Sequence, residues 1–358
     1  MRAPLWSALL TVTVAVTGAS LPGPARAAGA PAAQVLEVSG EVTGRPPKSE
    51  AYGRLGAGDR VPYGSRLRTG DDGQATLRFE DGTQVKVRAK TEVLVRPRPK
   101  DEASGVVLFF GRVWSKVVKS VGGETSFEVE SANAVAGVRG TEFEVGVADD
   151  GATRVIVSEG TVAVAGEEDR ATPISAGFEV ESDHQGRMAK RKKAGKRADW
   201  DGWFSQRAKA IQKQGLVVAK DLSGRLDRRK AKVKKLVDEQ QALRQQIEAL
   251  EKQRAAGADV DAELQAKLER MEQITARLED MKDRLEAAFG MFERWGALAE
   301  QGSMQGSEEL TELMEDVQRA AKEFADMIEE GTDLSEEGMD DMLDDMKRGP
   351  TLKPQKGR

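Results

Sequence analysis

The chain of 358 residues contains no cysteine, one histidine and two tyrosines. Without cysteine there is no disulfide framework, thiolate nucleophile, sulfur metal site or bacterial lipid anchor. His184 alone cannot build a zinc centre, which needs three or four nitrogen or sulfur ligands. Neither a Gly-x-Ser-x-Gly elbow nor a phosphate-binding glycine loop occurs, so the hydrolase and nucleotide-dependent classes lose their usual signatures and only carboxylate chemistry stays open. The expectation is a protein that is not an enzyme, with no catalytic residues, no cofactor and no metal. Long apolar runs are also lacking: "PLWSALLTVTVAV" falls short of the roughly 18 to 20 residues that span a bilayer, and no later stretch comes close.

That one apolar run follows Arg2 and ends at Pro22, Pro24 and the small-residue triplet Ala25-Arg26-Ala27. The order of charge, apolar stretch and small residues predicts a signal peptide over 1–27, with cleavage before Ala28 and a periplasmic or secreted bacterial location; an uncleaved anchor is the alternative. The mature chain then has no transmembrane segment. Its composition changes sharply near Trp200, from Gly, Val and Thr with Asp-Gly turns to Ala, Leu, Glu, Lys, Arg and Gln with no proline before Pro350. The first half reads as β and the second as helical. Charge is segregated as well, with 18 Lys/Arg against 4 Asp/Glu over 187–235 and 7 against 16 over 301–358.

Within the β half, "QATLRFEDGTQVKVRA" and "FEVGVADDGATRVIVSEGTVAVAG" read as hairpins turning at Asp81-Gly82 and Asp150-Gly151, each with one apolar and one wet face. A Gly-x-Val echo recurs in "SGEV" (39–42), "FGRV" (110–113) and "EGTV" (159–162), too unevenly spaced for a strict repeat. Taken with "GDRVPYGSRLRTGDDGQATLRFEDGTQVKV", "FEVESANAVAGVRGTEFEV" and "PISAGFEV", in that order, these segments resemble the FecR domain over roughly 35–180. The resemblance implies an extracytoplasmic all-β domain of stacked antiparallel sheets, a sandwich or short solenoid. Signalling members of that family add an N-terminal anti-sigma segment, a membrane helix and a C-terminal transducer-binding domain. Here a signal peptide and a helical region stand in those places, so siderophore signalling does not transfer.

The family motif Gly137, Val138, Arg139, Gly140, Thr141 and Phe143 poses a problem of phase. Val138 and Phe143 are both natural core residues, yet they lie five apart, which is opposite in a strand. An extra residue at Gly140 restores the register and sends Arg139 to the rim beside Glu142. Alternatively Arg139 is buried against a carboxylate such as Glu159, or it meets a ligand directly. On the favoured reading the motif is mainly structural.

The predicted organisation is a FecR-like β domain over 34–181, a basic linker over 182–199, a helical coiled-coil region over 200–300, acidic C-terminal helices over 301–347 and a disordered tail over 348–358. The linker holds seven Lys/Arg between Arg187 and Arg197 but no groove-reading motif, so nucleic acid is not expected as a partner. Trp200, Trp203 and Phe204 share one face of a starting helix with Asp199 or Asp201 as its cap. They form either a staple onto the β domain, the favoured reading, or a docking site for a partner. Leucines at coiled-coil spacing run through Leu236, Leu243 and Leu250, break near Gly257, and resume from Leu264 to Trp295, predicting two helices whose seam must meet another helix in the same chain or in a second copy. The function expected is a non-catalytic extracytoplasmic interaction or scaffold protein that engages an envelope protein or glycan, with docking or homo-oligomerisation through the helices. A sensory or regulatory role in envelope signal transduction is the alternative.

Overall fold

The computed structural model describes residues 31–47, 49, 51–96, 104–119, 127–166 and 170–300, and most positions of 308–327. The expected signal peptide, the part of the acidic C-terminal helices beyond 327 and the tail lie outside the described residues.

The β region begins with β1 (Pro31–Ser39), β2 (Val42–Arg45), β3 (Gly53–Arg54), β4 (Arg60–Pro62), β5 (Arg66–Thr69), β6 (Gln74–Phe79), β7 (Gln84–Val87) and β8 (Glu92–Arg96). It continues through the long β9 (Ser104–Lys116) to β10 (Phe127–Glu130), β11 (Val135–Val138), β12 (Glu142–Val147), β13 (Thr153–Glu159), β14 (Thr161–Ala165), β15 (Thr172–Ser175), β16 (Phe178–Ser182) and β17 (Lys192–Lys193). Two sheets result, with spatial orders β4-β1-β6-β7-β9-β12-β13-β16-β17 and β3-β2-β5-β8-β9-β10-β11-β14-β15. All pairings are antiparallel except β9 with β10. The N-terminal half of β9 belongs to one sheet and its C-terminal half to the other, so the strand joins two otherwise open layers.

The chain switches repeatedly from one layer to the other as it advances, which gives a sandwich with the sequential growth of a short solenoid. The Gly-x-Val echo marks three of these crossings: Gly40 between β1 and β2, Gly111 within β9 and Gly160 between β13 and β14 have φ of +63°, +94° and +81°. Such corners need a left-handed backbone that only glycine adopts cheaply. Between the layers Leu77, Phe79, Val85, Val87, Leu108 and Phe127 lose nearly all their solvent exposure, while Arg78 of β6 stays exposed as the alternation requires.

The basic stretch 182–199 differs from the linker the sequence suggests. Lys192 and Lys193 pair with β16 as an edge strand, and Lys192 Nζ meets Glu179 at 3.2 Å and Glu181 at 3.0 Å. Carboxylates on β16 give the cations a template.

Helix α1 (Trp200–Ala255) is capped by Asp199, whose carboxylate accepts from Gly202 N at 2.9 Å. Its 56 residues extend about 84 Å at 1.5 Å per residue. Gly257, at φ +91°, turns the chain into α2 (Asp261–Glu300). Contacts Arg254–Asp261 (2.8 Å), Gln240–Thr275 (3.3 Å) and Arg270–Glu239 (2.7 Å) have nearly constant residue-number sums, which fixes the two helices as an antiparallel hairpin. Leu243, Ile247, Leu250, Leu264, Leu268, Ile274 and Leu278 bury one another. The large apolar side chains left exposed among the described residues are Val118 and Val217, neither of them in this seam. Leu310, Val317 and Phe324 join the same core. Lys220–Glu309 and Lys230–Glu323 pairs advance together along both segments, so the described residues of 308–327 run alongside α1 in the same direction. Opposite charge places this third helix on the basic part of α1, as the segregation of charge suggests.

Candidate functional site

The helices are fastened to the β sandwich at three clusters, and these define the candidate site. The first is aromatic. Trp200 and Trp203, buried to 4% and 6% exposure, pack with Phe204 against Ala148, Ala152 and Ile156. Trp200 lies on β12 at Gly146, where a Cβ would stand 2.4 Å from the indole ring. Its Nε1 donates to Glu144 Oε2 at 2.8 Å, and Trp203 Nε1 donates to Glu181 Oε2 at 3.2 Å. The guanidiniums of Arg112 and Arg154 stand 5.3 and 5.2 Å from the Trp200 ring, within cation–π range. The structure therefore places Trp200 and Trp203 as an internal staple, their rings covered by the chain's own β domain, with Phe204 half-buried beside them.

The second cluster is polar and buried. Ser131 turns the chain between β10 and β11 by accepting from Asn133 N (3.3 Å) and Ala134 N (3.0 Å), which presents Asn133 to α1. Asn133 Nδ2 donates to Gly151 O at 2.7 Å, and its Oδ1 accepts from Arg225 at 2.6 Å. Arg225 also donates to His184 O at 2.6 Å, and Arg229 donates to Ala132 O at 3.0 Å. His184 Nε2 meets Asp221 of α1 at 3.1 Å. Among the described residues no group of three or more His, Cys, Asp or Glu side chains is placed to hold a metal ion.

The third cluster is at the β12–β13 turn. Trp295 Nε1 donates to Asp149 O, Arg294 pairs with Asp149, and Arg207 meets Asp150 at 3.3 Å. Gly290 of α2 admits the Phe109 ring, since a Cβ there would approach Phe109 Cδ1 to 2.5 Å. Between the first and third clusters opens a cleft of about 480 Å³.

The motif Gly137–Phe143 sits elsewhere, at the corner where β11 of one layer becomes β12 of the other. Val138 and Phe143 both reach the core because they approach it from opposite sheets, which resolves the phase conflict by a change of layer at Gly140 (φ +60°). Arg139 is half-buried and Thr141 is buried. Motif and staple connect through β12, whose Phe143 points inward while Glu144 and Gly146 carry Trp200 outside. Gly140→Val is expected to destabilise the protein by about 2 kcal/mol or more, since a β-branched residue resists positive φ and its Cβ would stand 3.0–3.3 Å from Lys119. Arg139→Ala should cost less; thermal melts of the two variants decide, and the reverse order would make Arg139 a structural pin.

The junction is also sensitive to acid. Burial pushes Glu181 up, but hydrogen bonds from Lys192 and Trp203 and the charges of Lys192 and Arg154 outweigh it and hold the carboxyl below its ordinary value. Hydrogen bonds from Gln185 and His184 depress Asp221 despite some burial. Groups depressed on folding contribute stability that is complete above the unfolded pKa and lost as pH falls through the folded one. Asp150 has the opposite sign: burial raises it against the pull of Arg207, so its contribution declines as pH rises. Glu181→Gln should therefore flatten the acid limb of a tryptophan-fluorescence melting series between about pH 5 and pH 2. An unchanged slope would remove Glu181 from the acid response.

Asn133, Arg225, Arg229, Phe109 and Gly290 were not singled out by the sequence reading. The available signals were charges at 225 and 229 in phase with the buried positions Leu222, Leu226 and Val233, and a glycine inside an otherwise helix-favouring stretch.

An all-β sandwich with alternating layers, fastened through its own turns to a helical hairpin, is the class of architecture seen. Residues 65–163, from the start of β5 to within β14, match the family described as FecR protein, so the chain carries a FecR domain. No curated protein matches the chain. Two crystal structures, at 1.65 and 2.50 Å resolution, of a candidate anti-sigma factor from Parabacteroides distasonis ATCC 8503 are similar at 20% identity, with a TM-score of 0.32. The match covers 36% of this chain and 59% of that one.

Proposed function

We propose that this protein is a non-catalytic extracytoplasmic module of the cell envelope, in which the FecR-type sandwich engages an envelope protein or glycan and the helical hairpin is the arm it carries. The FecR match over 65–163 supports a role in cell-envelope signal transduction, a family setting that is regulatory rather than enzymatic. The observation that carries the module reading is the junction itself. Turns of the β domain at Ser131–Ala134 and Ala148–Gly151 are the points to which Arg225, Arg229 and Trp295 attach, so the hairpin is held to the sandwich at two separate turns. A coupling of this kind suits a scaffold, and it also suits a regulator whose β domain reports occupancy through the arm.

The test is site-specific photo-crosslinking in the native host, with the crosslinker at Lys86 on the outer face of the sandwich and at Glu251 near the end of the arm. Adducts with envelope components at Lys86 are expected. Recovery of the protein in the cytoplasm, with no adduct at either position, would overturn the proposal.

A further inference from the structure

The cleft between the Gly111 corner and the start of α1 has a volume of about 480 Å³, within the range of small-molecule sites. Four cations line it, Arg88, Lys90, Arg112 and Arg294, against the carboxylates of Asp71, Asp149 and Asp201. Of these, Asp149 is occupied by Arg294, whose guanidinium lies 4.4 Å from the Phe110 ring. Arg112 is differently placed. Its nearest carboxylate is Glu144 at 4.0 Å, and Glu144 already accepts the Trp200 indole at 2.8 Å. Burial lowers the Arg112 pKa against the pull of Glu144, which fits a guanidinium short of close anionic partners. Arg88 resembles it: Nη1 donates to Gln74 at 3.3 Å, while Nε is buried with no hydrogen-bond partner among the described residues.

Backbone geometry points to the same place. Lys90 is the one non-glycine residue with positive φ (+54°) among the described residues, and it sits on the cleft wall with its ammonium 3.5 Å from an exposed Asp71 carboxylate. A non-glycine residue at positive φ is uncommon, and here it brings an ammonium to the cleft wall. Half-buried Phe110 and Phe204 provide an apolar wall beside these cations. Guanidinium forks match carboxylates in geometry, and an adjoining aromatic wall favours an anion with an apolar body over a bare inorganic one.

We infer that this cleft is a binding site for a small amphiphilic carboxylate, held by Arg112 and Arg88 with its apolar part against Phe110 and Phe204. The inference goes beyond the proposed function, since it concerns the junction of sandwich and hairpin and a small molecule in place of an envelope protein or glycan. It can fail alone, because it is tested on purified protein and the crosslinking is done in the cell.

The experiment is calorimetric titration of the full chain with hydrocinnamate, phenylpropylamine, phenylpropanol and inorganic phosphate, which share or lack the charge and the ring in turn. Saturable binding of hydrocinnamate is expected at about 1 mM or tighter, with the amine, the alcohol and phosphate at least about tenfold weaker. Arg112→Gln should weaken hydrocinnamate about tenfold, the scale of a lost charge-assisted hydrogen bond, and Arg78→Gln, outside the cleft, should leave it unchanged. Should Arg112→Gln unfold the protein, Lys90→Gly removes a cleft cation at a backbone position that suits glycine, and it should weaken binding by a smaller factor without lowering the melting temperature. Equal affinities for the four probes, phosphate binding as well as hydrocinnamate, no saturation, or unchanged affinity in folded Arg112→Gln or Lys90→Gly would each overturn the inference.

Discussion

Trp295→Ala should uncouple the helical hairpin from the sandwich and cost about 3–5 kcal/mol, the range for removing a buried aromatic side chain from a packed core. Trp295 has no solvent exposure and stacks edge-on with Phe292 at 5.1 Å. Its indole N–H is also what ties α2 to the Asp149 carbonyl of the β12–β13 turn. The substitution therefore removes apolar contact and leaves the partly buried Asp149 carbonyl without that donor. Because the arm has its own seam, from Val237 to Leu278, it should survive the loss of the junction as helix. The expected signature is a single cooperative transition splitting into two, followed by circular dichroism at a helix-sensitive and an aromatic wavelength. One undivided transition with an unchanged midpoint would mean that the junction rests on the Asn133 and Trp200 clusters alone.

The alternation of Leu77 and Phe79 with Arg78, the hairpin turns at Gly82 and Gly151, a helix cap at Asp199 or Asp201 and the break at Gly257 were legible in the sequence, because each is set by local chemistry, whereas Thr76, expected on the wet face, is buried. Periodicity shows which face is apolar. It does not show what covers that face: the seam from Leu264 to Trp295 fits a partner in the same chain or in a second copy equally well by its pattern, and in the structure α1 closes most of it while Phe109 with the β12–β13 turn closes its end. The Val138–Phe143 conflict shows a related limit. Within one strand, opposite phase demands an extra residue; across two layers it demands only a corner, and a linear pattern does not record a change of layer. The polar half of the junction was the least legible part, since Asn133, Arg225 and His184 are separated by up to 92 positions and become partners only once both domains are folded.

Gly111→Val should be among the most damaging single changes in the β domain, and its effect separates two costs that glycine corners usually mix. Gly111 has φ +94°, and a Cβ there would stand 2.3 Å from Thr91 Oγ1, 2.5 Å from Thr91 Cα and 2.6 Å from the Lys90 carbonyl. Two of those atoms are backbone and cannot swing away. Gly177 has a similar φ of +80° but nothing within 4 Å of its Cβ position, so Gly177→Ala bears the conformational cost alone, about 1–2 kcal/mol. At Gly111 the conformational cost is joined by overpacking of about 1–3 kcal/mol, for a total of about 2–5 kcal/mol. The location magnifies the consequence. β9 is the strand both sheets share, so displacing Lys90 and Thr91 disturbs β7 and β8 on one side of the corner and the cleft cations Arg88 and Arg112 on the other. Chemical denaturation of Gly111→Ala, Gly111→Val and Gly177→Ala should rank them with Gly177→Ala mildest and Gly111→Val most severe. Equal losses at the two glycines would show that φ alone sets the cost and that the approach of β9 to Thr91 is not a constraint on the sandwich.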